Sequence, residues 1–129
     1  MLQVVNPKVA PPPFSRYSQT VAAPANFRWL HISGQVGCDR RHRIAEGFEA
    51  QAELAWANVL ACLKADAMGV GDLVKVNVFL TRAADVPASR IVRDRMLAGA
   101  EPASTLLVVS ALANPEWLIE VDGIAAKAP

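Results

Sequence analysis

From Leu73 to Leu80 the chain alternates without interruption: Val74, Val76, Val78 and Leu80 fall on one side, and Leu73, Lys75, Asn77 and Phe79 on the other. A period of two sustained over that length marks a strand with one buried face. A second run, Thr105-Leu106-Leu107-Val108-Val109, is apolar on both sides, as expected of a strand covered from above and below. Only two segments carry helical spacing. Two helices can cover one face of a sheet of about four to six strands, but not both. A bare apolar face would be a large exposed patch. The pattern therefore predicts that further copies of the chain pack against it around a symmetry axis. The competing reading is that Lys75 and Asn77 mark a face that tolerates water.

The first helical segment starts at Phe48, with Ala52, Trp56, Val59, Leu60, Leu63 and Ala67 on one stripe and Glu49, Glu53, Lys64 and Asp66 off it. Gly69 is the expected C-terminal stop. The second begins at Asp85 as N-cap, carries Pro87 in its first turn, and runs through Ile91 and Val92 to Leu97 before Gly99. Tyr17–Ala22 and Arg28–Ser33 read as strands joined into a hairpin through Pro24-Ala25-Asn26. The proline-rich stretch from Pro7 to Pro13 can form neither helix nor inner strand. Residues 1–16 are thus expected to form an arm and residues 17–129 a single domain. The predicted class is α+β, a mixed sheet with two helices on one face.

At 129 residues, 53% hydrophobic and 19% charged, the chain can bury a sizeable core. A net charge of +1 gives no general attraction to nucleic acid. The basic run Arg40-Arg41-His42-Arg43 fits a solvated turn better than an RNA contact. Cys38 and Cys62 form no CxxC pair and have no histidine at metal-ligand spacing, as expected of free thiols in a reducing compartment. Met1 to Pro13 lacks the start of a signal peptide, and no segment approaches the ~20 apolar residues of a membrane span. The expectation is a cytoplasmic protein with no membrane contact. His31 lies in a strand and His42 in a loop, so neither a histidine pair for phosphodiester cleavage nor a serine triad with Ser33 is in place.

The last strand, Trp117 to Ala125, is mostly apolar, yet Glu120 and Asp122 sit two apart and project from one face. A carboxylate on such a strand must be paired, hydrated or functional. Glu120 is the candidate acid–base residue.

Tyr17-Ser18, Ser33-Gly34-Gln35, Glu49-Ala50-Gln51, Asn58, Asp72 before Val74-Lys75, Pro102-Ala103 and Ile119-Glu120-Val121 occur in an order that resembles the RidA (YjgF) family, over about Tyr17 to Ala125. The resemblance implies a chorismate-mutase-like fold and a homotrimer whose sheets close a barrel with the helices outside. It also implies clefts between subunits that bind small molecules. The best-known members of the family hydrolyse enamines and imines to ketones and ammonia with no metal or organic cofactor. Carried over residue by residue, the resemblance gives Glu120 the hydrolytic water and Tyr17 a place reaching into a cleft. Ser33 and Gly34 would line the ligand with their backbone, as would Leu107. One position departs from the pattern. Active deaminases carry an arginine after Pro-Ala that clamps the substrate carboxylate, and here Ser104, followed by Thr105, stands in its place. A hydroxyl offers one donor and no charge, so it does not replace a guanidinium fork. Two compensations are open: Arg93, which shares a helix face with Arg90, enters the cleft, or Ser104 and Thr105 bind a different, neutral substrate. The function is accordingly either a cofactor-free hydrolytic deaminase or a non-catalytic trimer that binds a metabolite in the same clefts. An endoribonuclease is the third and least supported reading.

Overall fold

The structure is a computed structural model describing residues 1–129. A four-stranded sheet runs in the order β3-β6-β4-β5, where β3 is Arg28–Val36, β4 Leu73–Leu80, β5 Ala103–Val108 and β6 Ile119–Lys127. Strand β6 is antiparallel to both β3 and β4, while β5 runs parallel to β4 and forms one edge. Helices α1 (Phe48–Ala65) and α2 (Val86–Leu97) pack on one face. There Trp56, Val59 and Leu63 of α1 and Val92 and Leu97 of α2 meet Val76, Val78 and Leu80 of β4 and Ile119 and Val121 of β6. The class is α+β, with a mixed sheet and both helices on one face, as the spacing predicts.

Several details differ from the expectations. The alternating row in β4 does not run unbroken. Leu73 pairs with Ala125 and Lys75 with Ile124, so Val74 is an extra residue in a bulge, and Leu73 rather than Val74 is buried at that end. Tyr17–Ala22 and Arg28–Ser33 form no hairpin. Pro24 does accept a turn hydrogen bond from Phe27 N–H at 3.1 Å. The strands it joins then part. β2 (Thr20–Ala22) pairs with β1 (Gln3–Val5) in a small separate sheet, and β3 pairs with β6. The N-terminal residues before the proline run thus fold back as a strand. Strand β5 is not covered on both sides within one chain: Thr105, Leu107 and Val108 are exposed.

The helix ends also differ. The last turn of α1 closes on Ala67, which takes a left-handed φ of 56°, with its N–H bonded to Lys64 C=O and that of Met68 to Leu63 C=O. Gly69 lies beyond this cap in extended backbone. Asp85 precedes α2, but its carboxylate caps nothing; it accepts a hydrogen bond from Arg82 Nε at 2.7 Å. Ala98, with φ 49°, makes the left-handed exit ahead of Gly99.

The sheet face away from the helices carries two kinds of side chain. Trp29 and Leu107 are half exposed, and Phe79 and Ile124 are partly covered. Among them run His31, Lys75, Asn77, Thr105, Glu120 and Asp122. Two polar pairs stitch this face: Asn77 Nδ2 donates to Asp122 Oδ1 at 2.8 Å, and Lys75 Nζ donates to Thr105 Oγ1 at 2.7 Å. The face is therefore mixed rather than wholly apolar.

Candidate functional site

Glu120 sits near the start of β6, level with Val36 of β3 on one side and Phe79 of β4 on the other. Asp122 is tied to Asn77, whereas Glu120 has no such partner within the chain. Opposite it, β3 bulges. Ile32 pairs with Gly123 and Gln35 with Val121, so Ser33 and Gly34 together face the single residue Asp122. The bulge presses the Gly34 backbone onto the Glu120 carboxylate. A Cβ at position 34 would lie 1.9 Å from Glu120 Oε2 and 2.7 Å from its Cδ. The φ of Gly34 is not in the left-handed region. Glycine is required here by space alone, because any side chain would push the acid aside.

Two polar side chains of α1 hold the strands that meet at this contact. Asn58 Nδ2 donates to Val36 C=O and Cys38 C=O, each at 3.0 Å, and anchors the end of β3. Gln51 is buried, with 3% exposure. Its Nε2 donates to Glu116 C=O at 3.1 Å and its Oε1 accepts from Leu118 N–H at 2.9 Å, which fixes the entry to β6 two residues before Glu120. Gly37 lets the chain pass over Gln51, since a Cβ there would lie 2.5 Å from the Gln51 Cα. These positioning residues are missed by a search for reactive groups. The available signal is a glutamine on the stripe formed by Phe48, Ala52 and Ala55.

Thr105 and Leu107 lie on the same open face. Leu107 is level with Phe79, which is level with Glu120, so the three form one row across β5, β4 and β6. Two strand spacings separate Glu120 from Leu107, about 10 Å. Ser33 is exposed in the bulge, and its C=O accepts from Gln35 Nε2 at 3.1 Å.

Tyr17, Arg93 and Ser104 fall elsewhere, on the helix side of β5. Ser18 N–H bonds Pro102 C=O at 3.2 Å and its hydroxyl bonds Glu101 C=O, which lays the N-terminal segment along the start of β5. That contact closes a cavity of about 200 Å³ lined by Ser15, Tyr17, Arg90, Arg93, Ser104 and Leu106. Within one chain the candidate residues thus form two groups. Glu120, Ser33, Gly34, Thr105 and Leu107 share the open sheet face, and Tyr17, Arg93 and Ser104 share a cavity on the other side of the edge strand.

The Arg40–Arg43 run is a turn built on Asp39, whose Oδ1 accepts the N–H groups of Arg41 and Arg43 at 2.9 Å and whose Oδ2 accepts Arg43 Nε at 2.8 Å. The Arg43 N–H is the largest influence holding the Asp39 carboxyl below the usual carboxylate range. The Arg43 guanidinium and the Arg41 N–H act in the same direction and partial desolvation opposes them. Cys38 and Cys62 are free and half-buried.

Comparison with known proteins places this arrangement. The chain is 29% identical over 112 residues, 85% of each chain, to a protein of Dermatophagoides farinae named 2-iminobutanoate/2-iminopropanoate deaminase. It superposes on YyfB, a Rid family protein of Yersinia pestis, with a TM-score of 0.87 at 28% identity over 98% of both chains. It also superposes on RidA from an Antarctic Psychrobacter, with a TM-score of 0.74 at 32% identity over 97% of this chain and 99% of that one. Residues 7–127 match the family model described as Endoribonuclease L-PSP, and with the shared fold this establishes that the chain belongs to the RidA (YjgF) family.

Proposed function

We propose that this protein is a cofactor-free hydrolytic deaminase acting on a small enamine or imine, in clefts completed by neighbouring copies of the chain in a homotrimer. The observation that carries the reading is the Glu120 carboxylate, seated against Gly34 in a glycine bulge and free of any partner in its own chain. An uncommitted, half-buried carboxylate can accept a hydrogen bond from a water molecule and take its proton as the oxygen attacks. Water adds to the C=N carbon, the nitrogen receives the protons, and the carbinolamine collapses to a ketone and ammonia. The backbone at Ser33 and Gly34, with Thr105 and Leu107 across the sheet, provides surface for the ligand beside that acid. Tyr17, Ser104 and Arg93 supply the second wall. No metal or organic cofactor enters this scheme. Half-exposed Trp29, Leu107 and Val108 on the open face and its edge support burial by another copy. No helix of the chain is long and apolar enough to cross a membrane.

The test generates an imine in situ with an amino-acid oxidase and follows ammonia release. Acceleration over buffer that disappears in Glu120→Gln is expected. Sedimentation at micromolar concentration is expected to show a trimer, and a stable monomer would remove the clefts. Ser104, in the place where active relatives of this family carry an arginine, favours the second reading, a metabolite-binding trimer without turnover. Ligand binding with no ammonia release above buffer would select that reading.

A further inference from the structure

The cavity between the N-terminal segment, β5 and α2 holds more positive charge than its own neighbours neutralise. Arg93 is 4% exposed, and a guanidinium so enclosed needs compensation. It finds only part of it. Nε and Nη2 both donate to one oxygen of Asp94, at 3.0 and 2.9 Å, and Nη2 also reaches Ser15 Oγ at 3.3 Å. Nη1 donates to no group of the chain. Arg90, one turn earlier, lines the same cavity and takes part in no ion pair. Two arginines against Asp94 leave one unit of positive charge. The cavity also offers the hydroxyl of Ser104, and the Tyr17 oxygen accepts from Phe14 N–H at 3.2 Å, which leaves the phenolic proton free to donate.

We infer that Arg93, supported by Arg90, is the anion receptor of this protein, and that it recognises a small monocarboxylate. The positive charge is supplied from α2 rather than from the strand position held by Ser104. Asp94 takes the Nε/Nη2 edge, and Nη1 is the free donor; once Nη2 is released from its 3.3 Å bond to Ser15, the Nη1/Nη2 edge fits the two oxygens of a carboxylate. One surplus charge matches one carboxylate, and about 200 Å³ suits a molecule of a few carbons. The small Ser104 side chain leaves that volume open and adds a donor. Phosphate shares the anionic-oxygen chemistry but would bring up to two charges. The inference rests on the RidA-type reading for the role of the cavity, yet acid binding does not require turnover.

Calorimetric titration separates the two. The probes are 2-oxobutanoate, its neutral amide 2-oxobutanamide, and inorganic phosphate. Loss of a charge-assisted pair at a buried site weakens binding by roughly 30-fold or more. The amide is expected to bind at least that much more weakly than the acid, and Arg93→Gln to lose the same factor for the acid only. Arg90→Gln, at a half-buried position, is expected to weaken the acid several-fold and decides the matter if Arg93→Gln fails to fold. The double variant Arg93→Gln/Ser104→Arg is expected to recover acid binding. Equal binding of acid and amide, phosphate binding tighter than the acid, no acid binding at all, or wild-type affinity in Arg90→Gln and folded Arg93→Gln overturns the inference. Acid binding without ammonia release leaves it standing and removes only the hydrolase reading. Turnover with no dependence on these arginines does the reverse.

Discussion

Replacing Gly34 with alanine separates the geometry of the Glu120 carboxylate from the stability of the fold. The added methyl would lie 1.9 Å from Glu120 Oε2, and ordinary contact begins at 3.4 Å, so the oxygen must retreat by about 1.5 Å. The Glu120 Cγ, at 3.0 Å from the new atom, must give as well. The atoms that move belong to the free end of a flexible side chain, Gly34 is exposed, and its φ is not in the left-handed region. The fold should therefore tolerate the change, with a loss of no more than about 1 kcal/mol. Catalysis should not, because a displacement of about 1 Å in a reacting group can lower the rate 10²-fold. The assay pairs oxidase-coupled ammonia release with a thermal melt. Gly34→Ala is expected to lose about two orders of magnitude in turnover while the melting temperature moves by a few degrees at most. Turnover within threefold of wild type would show that the carboxylate does not act from this position. A loss of stability of several kcal/mol would show that the glycine serves the fold instead.

Gln51→Leu removes the partners of Glu116 C=O and Leu118 N–H inside the structure and is expected to destabilise by about 2–3 kcal/mol, read from the urea midpoint at constant m. Ala67→Gly and Ala98→Gly relieve left-handed alanines with φ 56° and 49°, and each is expected to stabilise by about 1 kcal/mol, visible as a higher melting temperature; no rise in either would refute the cap assignment. The Asp39 carboxyl titrates below the 3.8 of an unperturbed aspartate, so its contribution is fully present above that pH and is lost as pH falls through the lower, folded-state value. Amide exchange at Arg41 and Arg43 should accelerate across that acid window, and Asp39→Asn should abolish the pH dependence.

The parts of the fold legible in the sequence are those where one burial pattern dominates over several turns or pleats. The helices were readable because Trp56, Val59 and Leu63 recur on one stripe and because Pro87 opens α2. The shared face of Glu120 and Asp122 followed from their spacing, as did that of Arg90 and Arg93. Strand pairing was less accessible. Pro24-Ala25-Asn26 does turn the chain, but a turn sets only the direction of the next residues. The partner of β2 was decided by Gln3–Val5, three exposed residues with no periodic signal. Bulges leave equally little trace: Val74 occupies an apolar position in a perfect alternation, and only the pairing of Leu73 with Ala125 reveals that the pleat has slipped.

The same limit explains what the candidate site concealed. Residue type marks Glu120 and Arg93 as chemically able, but their surroundings are tertiary facts. Glu120 is confined by a glycine 86 positions earlier, and Arg93 by Ser15, 78 residues away. The device that joins these levels is α1. Its Asn58 pins the end of β3 and its Gln51 the start of β6, so one rigid helix sets the separation of Gly34 and Glu120 from both sides. A loop-borne acid would lack that double restraint. Disturbing Gln51 or Asn58 should therefore lower turnover through the placement of Glu120 while acid binding in the α2 cavity persists in the molecules that stay folded. Equal loss of both functions would mean that the two groups of residues form one cooperative unit rather than two walls brought together by assembly.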